Sequence, residues 1–297
     1  MNEEPPLLRS LLFVPGNKEN MLTKALGLRP DAIVPDMEDS VPDAEKDAAR
    51  ETIRSFLPRL AASPALLIPR VNAPGTPWHE RDVEAVVAPG VYAVTVGKIR
   101  SPADIAAVSG LIADLERRRG LAVGTIRLLP WIETAAGLAA AAEILASDPR
   151  IVAAAFGAED FTHDLGIERD LDDESQLDTP RWLLSIAARA AGVIALDTPH
   201  FKLRDPEGLR ASARRVRRIG FRGKFAIHPE QIDTLSSCFS PSDDEIAEAR
   251  RIVAAFDEAE RAGRASTSLD GRVIDVPVVK RARAVLEAAE AHARSLQ

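Results

Sequence analysis

IRLLPWIE (residues 126–133) and IVAAAFGAED (residues 151–160) are two apolar segments that each end in an acidic residue, Glu133 and Asp160. Nearly continuous apolar character is typical of strands that are covered on both faces, as in parallel sheets. A helical pattern lies between the two segments, so we predict that they form neighbouring parallel strands. The carboxyl ends of such strands meet at one mouth of an α/β barrel, where active sites are built.

The same alternation of strand and helix patterns runs through the first 240 residues, at intervals of roughly 30 residues. We predict strands at residues 10–14, 32–36, 65–71, 92–98, 126–132, 151–156, 193–196 and 224–227. We predict helices centred on residues 21–26, 44–60, 78–87, 102–119, 135–147, 180–191, 206–219 and 229–238. Eight successive strand–helix units predict an α/β fold in which residues 1–240 form a (β/α)8 TIM barrel with the catalytic site.

Residues 241–297 extend beyond what a barrel requires, and we predict that they form a C-terminal helical extension. Ser242 and Glu245 have the spacing of a capping box, which would begin a long helix. The segment 263–271 is mostly small and polar and predicts a hinge, and Pro277 begins a last amphipathic helix. The residues alone favour a helical cap over the barrel floor, and the alternative is an arm that reaches a neighbouring subunit.

The composition is that of a folded globular protein, with 46% hydrophobic and 28% charged residues. A formal net charge of −7 argues against a general nucleic-acid-binding protein, because phosphate contacts require a surplus of Lys and Arg on one face. Cys238 is the only cysteine, so we expect neither an intramolecular disulfide nor a cysteine-based zinc cluster. Since MNEEPPLLRS lacks the pattern of a secretion signal and the apolar stretches are short, we expect a cytoplasmic protein without a membrane role.

Glu133 and Asp160 are candidates for a divalent-metal site. Mg2+ prefers oxygen ligands, commonly accepts one or two protein carboxylates and completes its octahedron with water and substrate oxygens; Mn2+ can take its place. A carboxylate after so apolar a strand is costly to bury without a partner, and both strands end in the same way. The alternative is that one of the two carboxylates caps the helix that follows it.

Arg70 ends the apolar run in ALLIPRVN, which would direct a guanidinium into the same mouth. Its planar fork of donors fits a carboxylate or a developing oxyanion. An equally good interpretation is an ion pair with Glu38 or Asp39 that ties two strands together. The stretch DMED, which begins at Asp36, places three carboxylates within four residues and therefore favours at least one cationic neighbour.

Other polar residues near the predicted strand ends carry weaker signals. Lys98 is of the residue type that forms Schiff bases, but nothing adjacent indicates the lowered pKa that such a lysine needs. His228 precedes a proline at the start of a helix, which favours a capping or structural role. The loop PGNK (residues 15–18) combines a turn, a cation and a helix N-terminus, and such a loop suits a phosphate.

Seven motifs, in this order and spacing, resemble the HpcH/HpaI aldolase and citrate lyase β-subunit superfamily, and within it the acyl-CoA lyase branch. They are RSLLFVPG (9–16) with Lys24 in the next helix, DMEDSVPDAEKDAAR (36–50), PRVN (69–72), IETAAG (132–137), GAEDF (157–161), GFRGKFAIHPEQI (220–232) and VIDVP (273–277). The resemblance covers nearly the whole chain. It implies a TIM barrel, in agreement with the strand and helix pattern.

The resemblance also implies roles for the candidate residues. Glu133 and Asp160 would bind magnesium, and Arg70 would contact the 2-oxo acid and stabilise the enolate of the acetyl thioester. Asp275 would be an acid/base group that the C-terminal segment supplies to the site of an adjacent subunit. This reverses the preference for a helical cap and implies a homo-oligomer, either a trimer or a hexamer.

Two further sets of residues complete the implied site. Glu38 and Asp39 would act with Arg70 as catalytic residues, by orienting its guanidinium and the water in the site. The residues that the resemblance places along the substrate and coenzyme A region are Arg70, Pro15, Gly16, Lys24 and Asn72.

The implied reaction is the reversible Claisen-type cleavage of a carboxylated 3-hydroxyacyl-CoA, such as citramalyl-CoA or malyl-CoA. Its products would be acetyl-CoA or a homologue and a 2-oxo acid, with magnesium as the cofactor. One alternative is hydrolysis of the thioester at the same site, as in a malyl-CoA thioesterase or a malate-synthase-like enzyme. Another is a β subunit that acts only within a citrate lyase complex. The C-terminal arm with Asp275 favours the stand-alone enzyme, because we expect complex-bound subunits to be shorter at that end.

The sequence departs from the family pattern at places near the predicted mouth. Gly97 stands where a proline is usual, and Arg100 stands where an acidic residue is usual, which favours a more anionic substrate or a local ion pair. The segment DTPHFKLRDPEGL carries His200, Lys202 and Arg204 in place of an acidic cluster. These cations would meet either the phosphates of coenzyme A or solvent.

Overall fold

The protein divides into two compact units, one that ends at Ser236 and one that begins at Ser237. The structure, a computed structural model, describes residues 6–295. Within that range, no helix combines the length and the apolar character that crossing a membrane requires.

A closed barrel of parallel strands forms the first unit. Its strands are β1 (Ser10–Pro15), β2 (Ala32–Asp36), β3 (Leu66–Leu67), β4 (Arg70–Val71), β5 (Ala93–Val96), β6 (Arg127–Ile132), β7 (Ala153–Phe156), β8 (Ile194–Asp197) and β9 (Gly223–Ala226). They pair in the order β1-β9-β8-β7-β6-β5-β4-β2-β3, and β1 also pairs with β2, which closes the barrel. Because β3 and β4 together occupy one of eight positions, the predicted (β/α)8 TIM barrel is confirmed.

Helices connect the strands and cover the outside of the barrel. They are α1 (Glu19–Ala25), α2 (Lys46–Ala61), α3 (His79–Val86), α4 (Pro102–Arg118), α5 (Ala135–Ala139), α6 (Ala141–Ala146), α7 (Ala158–Leu165), α8 (Asp178–Ala191), α9 (Pro206–Arg218) and α10 (Gln231–Phe239). In α4 the residues at helical spacing, Ile105, Val108 and Ile112, are fully buried. A capping box between Ser101 and Asp104 begins that helix.

The barrel interior is filled by side chains from alternate strand positions. Phe13 stacks on both Trp131 and Phe225, and the rings of Trp131 and Phe225 are tilted against each other; the three centroid distances lie between 4.5 and 5.8 Å. The Trp131 Nε1–H donates a 2.8 Å hydrogen bond to Thr95 Oγ1, so the one polar atom of the indole is satisfied inside the core. This aromatic layer supports Arg70, whose guanidinium carbon lies 4.5 Å from the Phe13 ring centroid.

Three elements differ from the sequence prediction. The third strand is divided into β3 and β4 around Pro69, which has no N–H to donate to a neighbouring strand. The helix predicted for residues 135–147 is divided into α5 and α6 at Ala140. The helix α7 begins directly after Gly157 and was not predicted, although Gly166 ends it in the left-handed conformation of a C-terminal glycine cap.

The second unit contains two helices and a hairpin: α11 (Asp243–Arg261), β10 (Thr267–Leu269), β11 (Arg272–Ile274) and α12 (Val276–Ser295). The predicted capping box is present, because Ser242 Oγ accepts from the Glu245 N–H at 3.2 Å and Glu245 Oε2 accepts from the Ser242 N–H at 2.8 Å. Buried Phe256, Ile274 and Val279 pack together as the core of this unit.

A tight β-turn replaces the end of the predicted hinge. β10 and β11 are antiparallel and are joined by Asp270 and Gly271. Both residues have positive φ, 50° and 76°, as the two central positions of a type I′ hairpin turn require. The Asp-Gly pair therefore fixes the register of this hairpin and, with it, the start of α12.

Candidate active site

Arg70 lies at the mouth of the barrel, at the carboxyl end of the third strand position. It pairs in register with Asp36, the last residue of β2. The side chain is buried, and its guanidinium carbon lies 4.5 Å from the centroid of the Phe13 ring and 5.9 Å from that of Trp131. Since this arginine is removed from water, its charge has to be balanced by protein carboxylates.

Three carboxylates balance the charge of Arg70. Nε and Nη2 donate to the two oxygens of Asp36 at 2.6 and 2.7 Å. Nη1 donates to Asp39 Oδ2 at 2.9 Å and lies 3.3 Å from Glu38 Oε2. The ion pairs with Glu38 and Asp39 that the sequence allowed are thus present. The bidentate partner is Asp36, for which the sequence predicted no separate role.

Burial and charge compete in setting the protonation of these groups. Burial by itself would raise the pKa of Asp36, but the charge and hydrogen bonds of Arg70 outweigh it and hold that pKa below its usual value. Burial raises the pKa of Glu38 to about 7, because Arg70 offsets it only in part and Asp39 adds repulsion. Burial would lower the pKa of Arg70, yet the carboxylates raise it, so Arg70 stays a cation.

Glu133 directly follows β6 and is buried among backbone groups. Its Oε1 accepts a 2.6 Å hydrogen bond from the Lys98 N–H. A Cβ atom at Gly157 would lie 2.2 Å from Glu133 Oε2, and one at Gly97 would lie 2.8 Å from Oε1, so these glycines leave the space that the carboxylate fills. Thr134 is the residue that caps α5, so the helix-cap interpretation of Glu133 is wrong.

Asp160 lies in the first turn of α7, where Gly157 holds the N-cap position. Lys98 connects it to the other acidic groups. The Lys98 Nζ lies 3.7 Å from Asp160 Oδ1, 3.4 Å from Glu38 Oε1 and 3.8 Å from Asp39 Oδ1. Glu133 and Asp160, predicted to meet at the mouth, are therefore both contacted by one residue, Lys98.

The charges in the mouth are unevenly matched. Burial raises the pKa of Glu133 to about 8, and the negative charges of Glu38 and Asp160 act in the same direction. Burial would lower the pKa of Lys98, but the surrounding carboxylates outweigh it and raise that pKa. Five carboxylates face two cations here: Asp36, Glu38, Asp39, Glu133 and Asp160 against Arg70 and Lys98.

This excess of negative charge fits a divalent cation. A cation between Glu133 and Asp160 would offset the repulsion that raises the pKa of Glu133 and would find two hard oxygen donors. Across residues 6–295, no group of three or more His, Cys, Asp or Glu side chains is arranged to hold a metal ion. Carboxylate oxygens such as those of Glu133 and Asp160 are donors of the kind that Mg2+ and Mn2+ take, and these ions can complete their coordination with water and substrate oxygens.

The first-strand loop borders this acidic cluster. Pro15 is the last residue of β1, and the Gly16 N–H donates a 2.8 Å hydrogen bond to the Asp36 carbonyl. A Cβ at Gly16 would lie 2.7 Å from that carbonyl oxygen and 2.5 Å from Ile53 Cδ1, so the close approach of the loop requires glycine. Lys24 is exposed in the last turn of α1.

Asn72 is buried just beyond β4. Its side-chain amide donates to the Met37 carbonyl at 2.8 Å and to Asp82 Oδ2 at 2.6 Å. These bonds fix the segment that carries Glu38. The structure therefore places Asn72 as a support for the acidic loop.

Asp275 lies in the second compact unit, between β11 and α12. Its Oδ1 accepts a 3.2 Å hydrogen bond from the Val278 N–H, and its carbonyl accepts from the Val279 N–H at 3.0 Å. The carboxylate thus has a helix-capping role within its own unit, which is independent of any role at a mouth.

The cations that depart from the family pattern lie outside the acidic cluster. Arg100 is exposed, and its N–H donates to Asp104 Oδ2 at 2.9 Å. Lys202 forms an ion pair with exposed Asp172, and Arg204 is exposed. The side chains of all three cations are therefore accessible to solvent.

Three residues of the mouth have contacts that the sequence did not predict: Asp36, Lys98 and Gly157. Alternation along β2 could have identified Asp36, because Ala32 and Val34 face the interior core and Asp36 is next in that series. The positive φ of Lys98, 59°, could not be predicted from the residue type, because lysine rarely adopts this conformation and the surrounding tertiary structure imposes it.

The family model for HpcH/HpaI aldolase/citrate lyase matches residues 9–229, a span that contains Arg70, Glu133 and Asp160. The chain belongs to this HpcH/HpaI aldolase/citrate lyase family. Its relatives include the citrate lyase subunit beta of Leuconostoc mesenteroides subsp. cremoris, which is 35% identical over 292 residues, 98% of this chain and 96% of the relative.

Two further members of the HpcH/HpaI family are similar over nearly the full length. The (3S)-malyl-CoA thioesterase of Cereibacter sphaeroides strain KD131 is 38% identical over 283 residues, 95% of either chain. The crystal structure of CitE from Mycobacterium tuberculosis in complex with magnesium, acetoacetate and coenzyme A has a TM-score of 0.79 and 31% identity, and the match covers 98% of this chain and 100% of CitE. These similarities support a coenzyme A-related lyase of the HpcH/HpaI family.

The length of the HpcH/HpaI relatives corrects one expectation. We expected citrate lyase β subunits to be shorter at the C-terminal end, which would have favoured a stand-alone enzyme. The Leuconostoc subunit instead aligns with 98% of this chain and 96% of its own length. The C-terminal unit is therefore no argument against a β subunit.

Proposed function

We propose that this protein is a magnesium-dependent carbon–carbon lyase for a carboxylated 3-hydroxyacyl-CoA, such as citramalyl-CoA or malyl-CoA. The products of cleavage would be acetyl-CoA, or a homologue, and a 2-oxo acid, and the reaction would be reversible. One observation carries the proposal: buried Arg70 shares the mouth of the barrel with the carboxylates of Glu133 and Asp160, and the negative charges there outnumber the positive ones. Magnesium, with Mn2+ as a substitute, would be the cofactor at that pair.

The chemistry needs positive charge where electrons accumulate. Cleavage of the bond between the hydroxyl carbon and the carbon next to the thioester carbonyl leaves the electron pair on the latter carbon, as the enolate of the thioester. The hydroxyl carbon becomes the carbonyl of the 2-oxo acid. A bound divalent cation would act as a Lewis acid beside the hydroxyl and carboxylate oxygens of the substrate. Arg70 would place a fixed guanidinium near the enolate, in a site where water does not weaken its charge.

The carboxylates around Arg70 would keep it in place. Asp36 holds two of its nitrogens, and Asp39 and Glu38 contact the third. We propose Glu38 and Asp39 as catalytic residues in this sense, since they set the orientation of the guanidinium. A preoriented cation stabilises a developing charge without having to reorganise during the reaction.

Two proton transfers are required: the hydroxyl loses a proton, and the enolate carbon gains one. We propose Asp275 as the acid/base group, supplied by an adjacent subunit of a homo-oligomer, either a trimer or a hexamer. The support for this step is the resemblance of VIDVP to the family. The proposed coenzyme A and substrate contacts are Pro15, Gly16, Lys24, Asn72 and Arg70, and the proposed location is the cytoplasm.

Hydrolysis of the thioester is a second candidate, favoured by the 38% identity with a (3S)-malyl-CoA thioesterase. The same enolate site would then admit water, or the chain would act as a malate-synthase-like enzyme. A β subunit of a citrate lyase complex is a third candidate, favoured by the 35% identity with the Leuconostoc subunit. The three candidates differ in their products and in their need for a partner protein.

Product analysis separates these candidates. We expect the purified protein with Mg2+ to release acetyl-CoA or propionyl-CoA together with a 2-oxo acid from malyl-, citramalyl- or methylmalyl-CoA, and to lose this activity in EDTA. Mass spectrometry of the reaction mixture identifies the substrate by its products. Free coenzyme A with the intact hydroxy acid would establish the thioesterase, and turnover that begins only when citrate lyase partner subunits are added would establish the β subunit.

Gly157 offers a direct test of the metal site. The substitution Gly157→Ala places a Cβ 2.2 Å from Glu133 Oε2, so Glu133 has to leave its position. We expect this variant to lose the rise in melting temperature that Mg2+ and substrate give the wild type. Gly110→Ala is the matched control, because Gly110 lies inside α4 with open space around its Cβ position and should retain the full rise. An equal rise in both variants would contradict the assignment of Glu133 as a ligand.

A further inference from the structure

Lys98 has a backbone conformation that its residue type disfavours. Its φ is 59°, in the left-handed region, and it is one of two such non-glycine residues within the described range 6–295. This conformation is energetically unfavourable for a lysine and persists only where surrounding contacts enforce it. Strain of this kind at the mouth of a barrel indicates that the position of the residue matters.

The two ends of Lys98 engage the two carboxylates of the proposed metal site. Its N–H donates to Glu133 Oε1 at 2.6 Å, and its Nζ lies 3.7 Å from Asp160 Oδ1. From this left-handed turn, the backbone of Lys98 contacts Glu133 and its side chain contacts Asp160. The ammonium group therefore neutralises part of the charge that a divalent cation would neutralise.

The ammonium and a divalent cation cannot both remain close to Asp160 without repulsion. Two positive charges a few ångströms apart repel strongly in the partly buried environment of a protein mouth. The side chain of Lys98 is 42% exposed, so it has room to move. It also has alternative partners, since Glu38 Oε1 and Asp39 Oδ1 already lie 3.4 and 3.8 Å from its Nζ.

We propose that Lys98 is the internal counter-ion of the metal-free site and competes with the divalent cation for Asp160. In the metal-free protein the ammonium holds Asp160 and Glu38 together; when the cation binds, the ammonium gives up Asp160 and keeps Glu38 and Asp39. Lys98 is thus a positioning residue that limits the affinity for the metal. This inference rests on the proposed metal site at Glu133 and Asp160.

The test measures metal affinity and not activity. Wild type, Lys98→Met and Lys98→Arg are freed of metal with EDTA, dialysed and titrated with Mn2+, with free Mn2+ followed by electron paramagnetic resonance, and Mg2+ is then used as a competitor. Methionine keeps most of the length of the side chain and removes its charge, so we expect Mn2+ and Mg2+ to bind roughly tenfold more tightly or better. Arginine keeps the charge and should keep an affinity close to that of the wild type.

A second measurement reports on the metal-free protein. Without the ammonium, the carboxylates of the mouth repel one another more strongly, so metal-free Lys98→Met should melt at a lower temperature than metal-free wild type. Lys202→Met is the control for the loss of a lysine charge elsewhere in the barrel unit, because Lys202 pairs with exposed Asp172. It should leave the affinity for Mn2+ unchanged.

The outcomes distinguish this inference from the proposed function. Unchanged or weaker metal binding by Lys98→Met, with normal binding by the wild type, would overturn the role of Lys98 and leave the metal site intact. If Glu133→Gln binds Mn2+ as well as the wild type does, or if the wild type binds none, the metal site itself is wrong and the inference falls with it. Tighter binding by Lys98→Met that Glu133→Gln abolishes in the double variant would support both.

Discussion

Replacement of Arg70 by lysine should lower kcat/KM by roughly 10²–10³-fold, the usual cost of removing one group that stabilises a developing anion. Lysine keeps the positive charge but lacks the planar fork that engages Asp36 with two nitrogens and Asp39 with a third. Steady-state kinetics with the thioester identified by product analysis would measure the loss. We expect most of it in kcat, because the guanidinium is proposed to interact more strongly with the developing enolate than with the bound substrate.

Arg150→Lys is the matched control for this variant. Arg150 is also a buried arginine in a bidentate ion pair, with Glu116, but it lies at the amino end of the barrel strands, where it also donates to the Ile126 carbonyl. Both substitutions should reduce the free energy of unfolding by about 1–3 kcal/mol, since each loses buried hydrogen bonds. Only Arg70→Lys should reduce turnover, and a comparable kinetic loss in Arg150→Lys would mean that the effect of Arg70 is one of stability alone.

The substitution Asp275→Asn should reduce kcat by roughly 10²–10⁴-fold, the range expected for the loss of a general acid or base. Asparagine is as good a helix cap as aspartate, so the hydrogen bond from the Val278 N–H to the side-chain oxygen can persist and α12 should stay in place. Turnover measured beside the affinity for Mg2+ and for coenzyme A should show the loss in turnover only. Unchanged turnover would remove Asp275 from the mechanism.

Asp270→Asn is the control within the same hairpin. Asn tolerates the left-handed conformation of this position, and the change removes the ion pair with Arg251 without touching Asp275. It should leave kcat unchanged. Mixed oligomers of Asp275→Asn and Arg70→Lys chains, refolded together, would test the supply of Asp275 by a neighbour, because a fraction of the mixed sites would then contain both native residues and regain activity.

Strands and helix starts were predictable where the sequence carries a single strong local pattern, such as an apolar run or a capping box. Nearly continuous apolar runs ended by Glu133 and followed by Asp160 predicted two neighbouring strands and their shared mouth, and β6 and β7 do pair in parallel. Ser242 and Glu245 predicted a helix start from spacing alone, and both hydrogen bonds of the capping box are present. In each case the signal lies in residues that are close together in the sequence.

The parts that escaped prediction depend on contacts between distant segments. Arg70 has its strongest partner in Asp36, 34 positions away, and only the register of β2 against β4 brings them together. The left-handed turn at Lys98 is fixed by a hydrogen bond to Glu133, 35 positions away. The sequence predicted that charged groups gather at the mouth, whereas the ion pairs and hydrogen bonds among them depend on the tertiary structure.

Because Gly157 has no side chain, a single base change at this position is enough to disturb Glu133. Glu133 occupies the volume in which any larger residue at position 157 would place its Cβ. A change of the second base converts every glycine codon into an alanine codon, so a single point mutation can produce this conflict. Gly157 directly follows β7, and its N–H donates a 3.3 Å hydrogen bond to the Ile132 carbonyl of β6. Alanine keeps this N–H, so the bond between the two strands can persist. After a gene duplication, one mutational step could therefore yield a copy that keeps the barrel and has lost the proposed cation site.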